Sequence, residues 1–118
     1  MSGISEEMQM KIFGLIAGAG DAKSSFYQAM KLVQENKYEE AEELVKEAKA
    51  SLVEAHKVQT SLITEEANGN QIEVGILMVH AQDHLMNAIL VQELLDNLIS
   101  MQKEINGLKE KLEVVNNG

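Results

Sequence analysis

Residues 74–99 read VGILMVHAQDHLMNAILVQELLDNLI, and their apolar positions divide between two sides of one helix. At about 100° per residue, Val74, Leu77, Ala81, Leu85, Ala88, Leu95 and Ile99 line up as one stripe. Ile76, Val79, Met86, Leu90 and Leu94 make a second stripe on roughly the opposite side, with Asp83 in its middle, and His80 and His84 occupy the seam between the two. A helix with one apolar stripe packs into its own chain's core. A helix with two has a further surface to bury, and a carboxylate set among apolar residues needs a partner.

The rest of the chain agrees with an all-α fold. Its 118 residues contain no proline, no tryptophan and 3% aromatics. Ala, Leu, Glu, Lys, Gln and Met dominate, the residues that lose least entropy in a helix. The length suits one domain with one core. Ser5, followed by Glu6 and Glu7, is a helix entrance, because the hydroxyl caps free N–H groups and the carboxylates favour the positive end of the dipole. The first helix then places Met8, Ile12, Leu15, Ile16, Ala19, Ala22, Phe26, Met30 and Val33 inward until Glu35-Asn36-Lys37 interrupts the period. Gly14, Gly18 and Gly20 each cost about 1 kcal/mol there relative to alanine, and their expected return is close approach of a neighbouring helix rather than a kink.

The second helix runs from about Tyr38 to Ala67, with Ala41, Leu44, Val45, Ala48, Leu52, Ala55, Leu62 and Ile63 inward and a solvated acidic face opposite. Asn68-Gly69-Asn70 is the strongest turn signal, and Asn70 with Glu73 resembles a capping pair that would start the third helix just before Ile72. Short loops between three long helices predict an antiparallel up-down-up bundle. Leu94, Leu98, Met101, Ile105, Leu108, Leu112 and Val115 continue the Asp83 side with coiled-coil spacing, so the third helix is expected to extend as a stalk. Gly107 weakens that segment, and Asn116-Asn117-Gly118 should fray. The division predicted is a three-helix domain over residues 1–103 and a helical or disordered tail over 104–118.

Several function classes fall away on composition. Ten basic and 19 acidic side chains give a net charge of −9, which repels nucleic acid and anionic membrane surfaces and favours neutral or basic protein partners. Without cysteine there is no disulfide, thiolate metal site or thiol nucleophile. The start lacks the basic and apolar regions of a signal peptide, and no apolar run reaches the roughly 20 residues that span a bilayer. The reading is a soluble, cytoplasmic protein.

The histidines leave three readings. A pair spaced i,i+4 can share one divalent metal, but the His-Glu-x-x-His pattern is missing and the third histidine, His56, needs tertiary structure to join them. They can equally be edge-of-core residues bonded to their neighbours. The third reading is phosphoryl transfer, in which a neutral imidazole nitrogen attacks phosphorus, His84 one turn away supplies a donor to the phosphoryl oxygens, and Gln82 serves from a neighbouring chain. Nucleotide-binding motifs are absent, so the phosphate would have to come from another protein.

Ala-Gly-Asp-Ala-Lys-Ser at 19–24, Glu-Ala-His-Lys-Val-Gln-Thr-Ser-Leu-Ile at 54–63 and Met-Val-His-Ala-Gln-Asp-His-Leu-Met at 78–86 together resemble the lactose/cellobiose/chitobiose-type IIA component of the bacterial phosphotransferase sugar-uptake system, over about residues 8–103. The resemblance implies a homotrimer of three-helix bundles. It further implies that His80 accepts phosphate from the carrier protein HPr and donates it to the cognate IIB component. It makes Asp83 a metal ligand, three copies gathering around one divalent cation, often magnesium, on the trimer axis. Gln82 and His84 match the remainder of the motif in supporting roles, and His56 and Gln59 belong to the second-helix motif, where an inter-helix hydrogen bond is expected ahead of a role in the cleft. Arginine is absent from the chain, and Lys23 stands where many members carry it. The choice of sugar falls to the membrane-embedded IIC component and is not legible here; the reading leans to cellobiose or another β-glucoside. The alternative is a non-enzymatic helical adaptor, because Lys-Tyr-Glu-Glu-Ala-Glu-Glu-Leu-Val-Lys-Glu-Ala at 37–48 resembles one helix of a tetratricopeptide or microtubule-interacting module.

Overall fold

A computed structural model describes residues 5–117; residues 1–4 and Gly118, which enter the leader and fraying expectations, lie outside it. Three antiparallel helices follow one another: α1 (Glu6–Gln34), α2 (Tyr38–Ala67) and α3 (Ile76–Asn117). Ser5 caps α1 as its position predicts, its Oγ accepting from the Met8 N–H at 3.1 Å. The helix ends where Asn36 takes φ 64°, which lets the Lys37 N–H reach back to the Leu32 carbonyl at 2.8 Å and the Asn36 N–H to Val33 at 3.1 Å. Asparagine tolerates this left-handed conformation better than any residue with a larger or branched side chain.

The same closure ends α2, with Gly69 at φ 93° and the Asn70 N–H donating to the Glu65 carbonyl at 3.0 Å. Asn70 is therefore engaged in closing α2, and α3 does not start before Ile72 as the Asn70–Glu73 pair suggests. It starts at Ile76, where the Gly75 carbonyl accepts the first helical bond, from the Val79 N–H. Val74 lies ahead of the helix and is exposed rather than part of the core stripe.

The core runs along α1, which packs on both other helices, while α2 and α3 scarcely meet. Ile12, Leu15, Phe26 and Val33 of α1 are buried against Val45, Leu52 and Leu62 of α2 and Ala81, Leu85 and Leu95 of α3. Burying each large side chain contributes about 1.5–3 kcal/mol before conformational entropy is charged against it. Two packing expectations fail. Ile63 is exposed, because it points along the open side between α2 and α3. A methyl group built on Gly14 or Gly20 meets nothing within 4 Å, and one on Gly18 only touches Ala55 Cβ at 4.0 Å, so no close helix approach within the chain explains these glycines.

α3 is 42 residues long against 29 and 30 for α1 and α2. It stays helical through residue 103 and beyond. Asn106, 5% exposed, fastens it to the end of the bundle: its Nδ2 donates to the Val33 carbonyl at 2.8 Å and to the Tyr38 hydroxyl at 2.9 Å, and its Oδ1 accepts from Gln102 at 3.0 Å. The last eleven helical positions, about 16 Å at 1.5 Å per residue, then project past the bundle.

Candidate functional site

The site sits on the second and third turns of α3, and the buried face of that helix sets its orientation. Ala81, Leu85 and Ala88 are fully buried against α1, which leaves no freedom to rotate α3 about its axis. Every other residue of the motif is placed by that constraint. His80 is exposed and His84 half-buried, one turn further along. Their rings meet edge to face with centroids 4.4 Å apart and planes at 82°, and their Nε2 atoms lie 3.1 Å apart. At that distance one nitrogen carries a proton and the other a lone pair, so the contact couples the tautomers of the two rings.

Gln82 points elsewhere. Its Oε1 accepts from Gln59 Nε2 of α2 and its own Nε2 lies 3.9 Å from Met78 Sδ, so within the chain it bridges α2 to α3 and does not reach His80. The expected inter-helix bond of Gln59 is thus present, with Gln82 as its partner. His56, on the same helix, is exposed. Leu62, Ile63, Val74, Val79 and Gln82 line a shallow apolar groove where α2 and α3 diverge, adjacent to His80 in the chain through Val79.

Asp83 falls on the other uncovered side. Its stripe neighbours Ile76, Val79, Met86, Leu90 and Leu94 are 49% to 90% exposed, so the second apolar face read from the sequence is unburied in the single chain. Among the described residues, no group of three or more histidines, cysteines and carboxylates within one chain could hold a metal. Each chain thus offers one carboxylate in an apolar surround and no complete ligand set. Asn106 is the polar anchor that pattern reading overlooked. Its signal was register, since Leu95, Ile99, Gln102 and Asn106 continue the core-facing side of α3 and a polar residue there must find a buried partner.

Comparison with known proteins places these features in one family. The profile of the family described as PTS system, Lactose/Cellobiose specific IIA subunit, matches residues 10–103. A lactose-specific EIIA component of Streptococcus mutans is 44% identical over 98 residues, covering 83% of this chain and 94% of that one. The crystal structure of a cellobiose-specific enzyme IIA from Bacillus anthracis superposes with a TM-score of 0.82 at 39% identity, covering 89% of this chain and 95% of that chain. The chitobiose IIA of Escherichia coli, solved in complex with HPr, gives 0.74 at 34% identity over 86% of this chain and 99% of that one. No described helix is long and apolar enough to cross a membrane. Sequence profile, relative and superposed bundles agree, and the chain belongs to the lactose/cellobiose-specific IIA subunit family of the phosphotransferase system.

Proposed function

We propose that this protein is a phosphohistidine carrier in which His80 takes a phosphoryl group from phosphorylated HPr and passes it to the cognate IIB component, for uptake and phosphorylation of a disaccharide of the cellobiose, lactose or chitobiose type. The observation that carries the reading is the exposed His80 ring with His84 Nε2 at 3.1 Å from its own Nε2. With His84 as donor, His80 Nε2 holds a lone pair and its Nδ1 the proton. That lone pair forms the new N–P bond while the phosphorus bond to HPr breaks, its electron pair leaving on the donor. The His84 N–H, displaced from Nε2, then lies beside the phosphoryl oxygens and stabilises their charge. Transfer to IIB reverses the same steps on a second partner. The E. coli relative's complex with HPr supports the choice of donor.

The assembly belongs to the same proposal. Three copies meeting through the Asp83 stripe would bury the exposed face of α3, and Asp83 of each copy would hold one divalent cation, magnesium by preference for oxygen ligands. The cation's contribution is to neutralise three carboxylates brought together in a poorly solvated layer.

Incubation with phosphorylated HPr tests the carrier reading. Wild-type protein should acquire an acid-labile, base-stable phosphate, and His80→Ala should acquire none while its helical circular dichroism is unchanged, since an exposed side chain is truncated without opening the core. Full acceptance by the variant overturns the assignment. The IIB that drains the label from the wild-type protein identifies the sugar branch.

A further inference from the structure

α3 carries more apolar surface than the bundle, or a layer of Asp83 carboxylates, can use. Met101, Ile105, Leu108, Leu112 and Val115 are 44% to 75% exposed. Their side of the helix is set by the last bundle contacts: Asn106 is bonded to the Val33 carbonyl, and Lys103 Nζ sits 5.0 Å from the centre of the Tyr38 ring, so both face α1 and α2. The apolar row is therefore turned outward. It also has a regular repeat, since 98, 101, 105, 108, 112 and 115 alternate by three and four residues.

This row continues the Asp83 stripe. Ile76, Val79, Asp83, Met86 and Leu90 follow the same alternation, and only the steps from Met86 through Leu90 and Leu94 to Leu98 are all four residues, one residue more than strict alternation, which locally unwinds a supercoil without ending it. The flanks of the row agree with one pairing. With Leu98, Ile105 and Leu112 as one core position and Met101, Leu108 and Val115 as the other, Glu104 and Lys109 occupy the two flanking positions, five residues apart. In parallel, in-register helices these are the positions that face each other between chains, and here they carry opposite charge.

We propose that residues 98–115 of three copies of this chain wind into a parallel, in-register coiled coil that carries the trimer axis beyond the bundle. The occupant of the exposed row is thus a second and a third copy of itself. This rests on the trimeric reading given above. Fewer than three heptads, with Gly107 among them, would not associate alone. Held at one end by the bundles, the three tails experience a high local concentration, and their pairing tightens an assembly that already exists.

The absence of cysteine from the chain allows a clean test. Full-length Leu112→Cys, a core position, should form disulfide-linked chains rapidly under mild oxidation, and Glu110→Cys on the outer side should do so at least fivefold more slowly. Full-length Leu108→Glu/Leu112→Glu should still sediment as a trimer at high concentration but dissociate at concentrations at least tenfold higher than the wild type. Equal cross-linking at both cysteine positions, or dissociation unchanged by the paired glutamates, overturns the stalk while leaving the trimer standing. A wild-type chain that sediments as a monomer overturns the trimer and the stalk together. Cross-linking into dimers by a protein that sediments as a dimer overturns the threefold count.

Discussion

An imidazole can accept a phosphoryl group only when one ring nitrogen keeps its lone pair and the ring faces a partner's surface. His80 is open to a partner's surface because its neighbours Ala81 and Leu85 are anchored in the core and it is not. His84→Ala should slow phosphate uptake from phosphorylated HPr by about 100- to 1,000-fold without abolishing it, the range expected for losing one donor to developing charge. Stopped-flow or quenched transfer kinetics measure this, and an unchanged rate would remove His84 from the chemistry. Asn106 works by structure alone. Asn106→Ala leaves the Val33 carbonyl without its 2.8 Å donor and should lower stability by about 1–3 kcal/mol in urea denaturation, with transfer at His80 retained. The first of these residues was legible in the sequence because its partner lies four positions away. For the second, register marks only a polar residue on the core-facing side, and its partner, 73 positions away, is not legible.

At the scale of elements, helix lengths and interiors follow from periodicity, whereas helix ends follow from which backbone groups compete for one residue. Asn70 reads as a cap for α3, yet its N–H is committed to Glu65, and α3 begins later as a result. Two glycines give opposite expectations on this basis. Gly69→Ala forces a side chain into φ 93° and should destabilise the protein by about 1 kcal/mol. Gly14→Ala adds a methyl into open space within a helix and should stabilise it by about the same amount. Denaturation midpoints at one fixed protein concentration compare them, and a loss at Gly14 would mean that this face of α1 is covered in the assembled protein.

For the whole molecule, the uncovered stripe around Asp83 is the surface through which the proposed trimer would form. Chelation of divalent metal at neutral pH should weaken the trimer, because three carboxylates would lose their counterion. Asp83→Leu should make the trimer independent of metal and at least as stable, an apolar layer replacing three desolvated charges. Phosphate acceptance at His80 should survive if the proposed cation serves structure alone. Analytical ultracentrifugation with and without chelator reads both outcomes, and a monomeric Asp83→Leu protein would take Asp83 off the axis.

The all-helical class, the spans of α1 and α2, the Ser5 cap and the double-striped character of α3 were determined by the sequence alone, because each depends on residues within a turn or two of one another. The pairing of Gln59 with Gln82, the fastening of α3 by Asn106, the late start at Ile76 and the exposure of Ile63 were decided only by tertiary structure. Each of those depends on where α2 and α3 diverge after both have packed on α1, and no local pattern encodes the distance between two helices that barely touch.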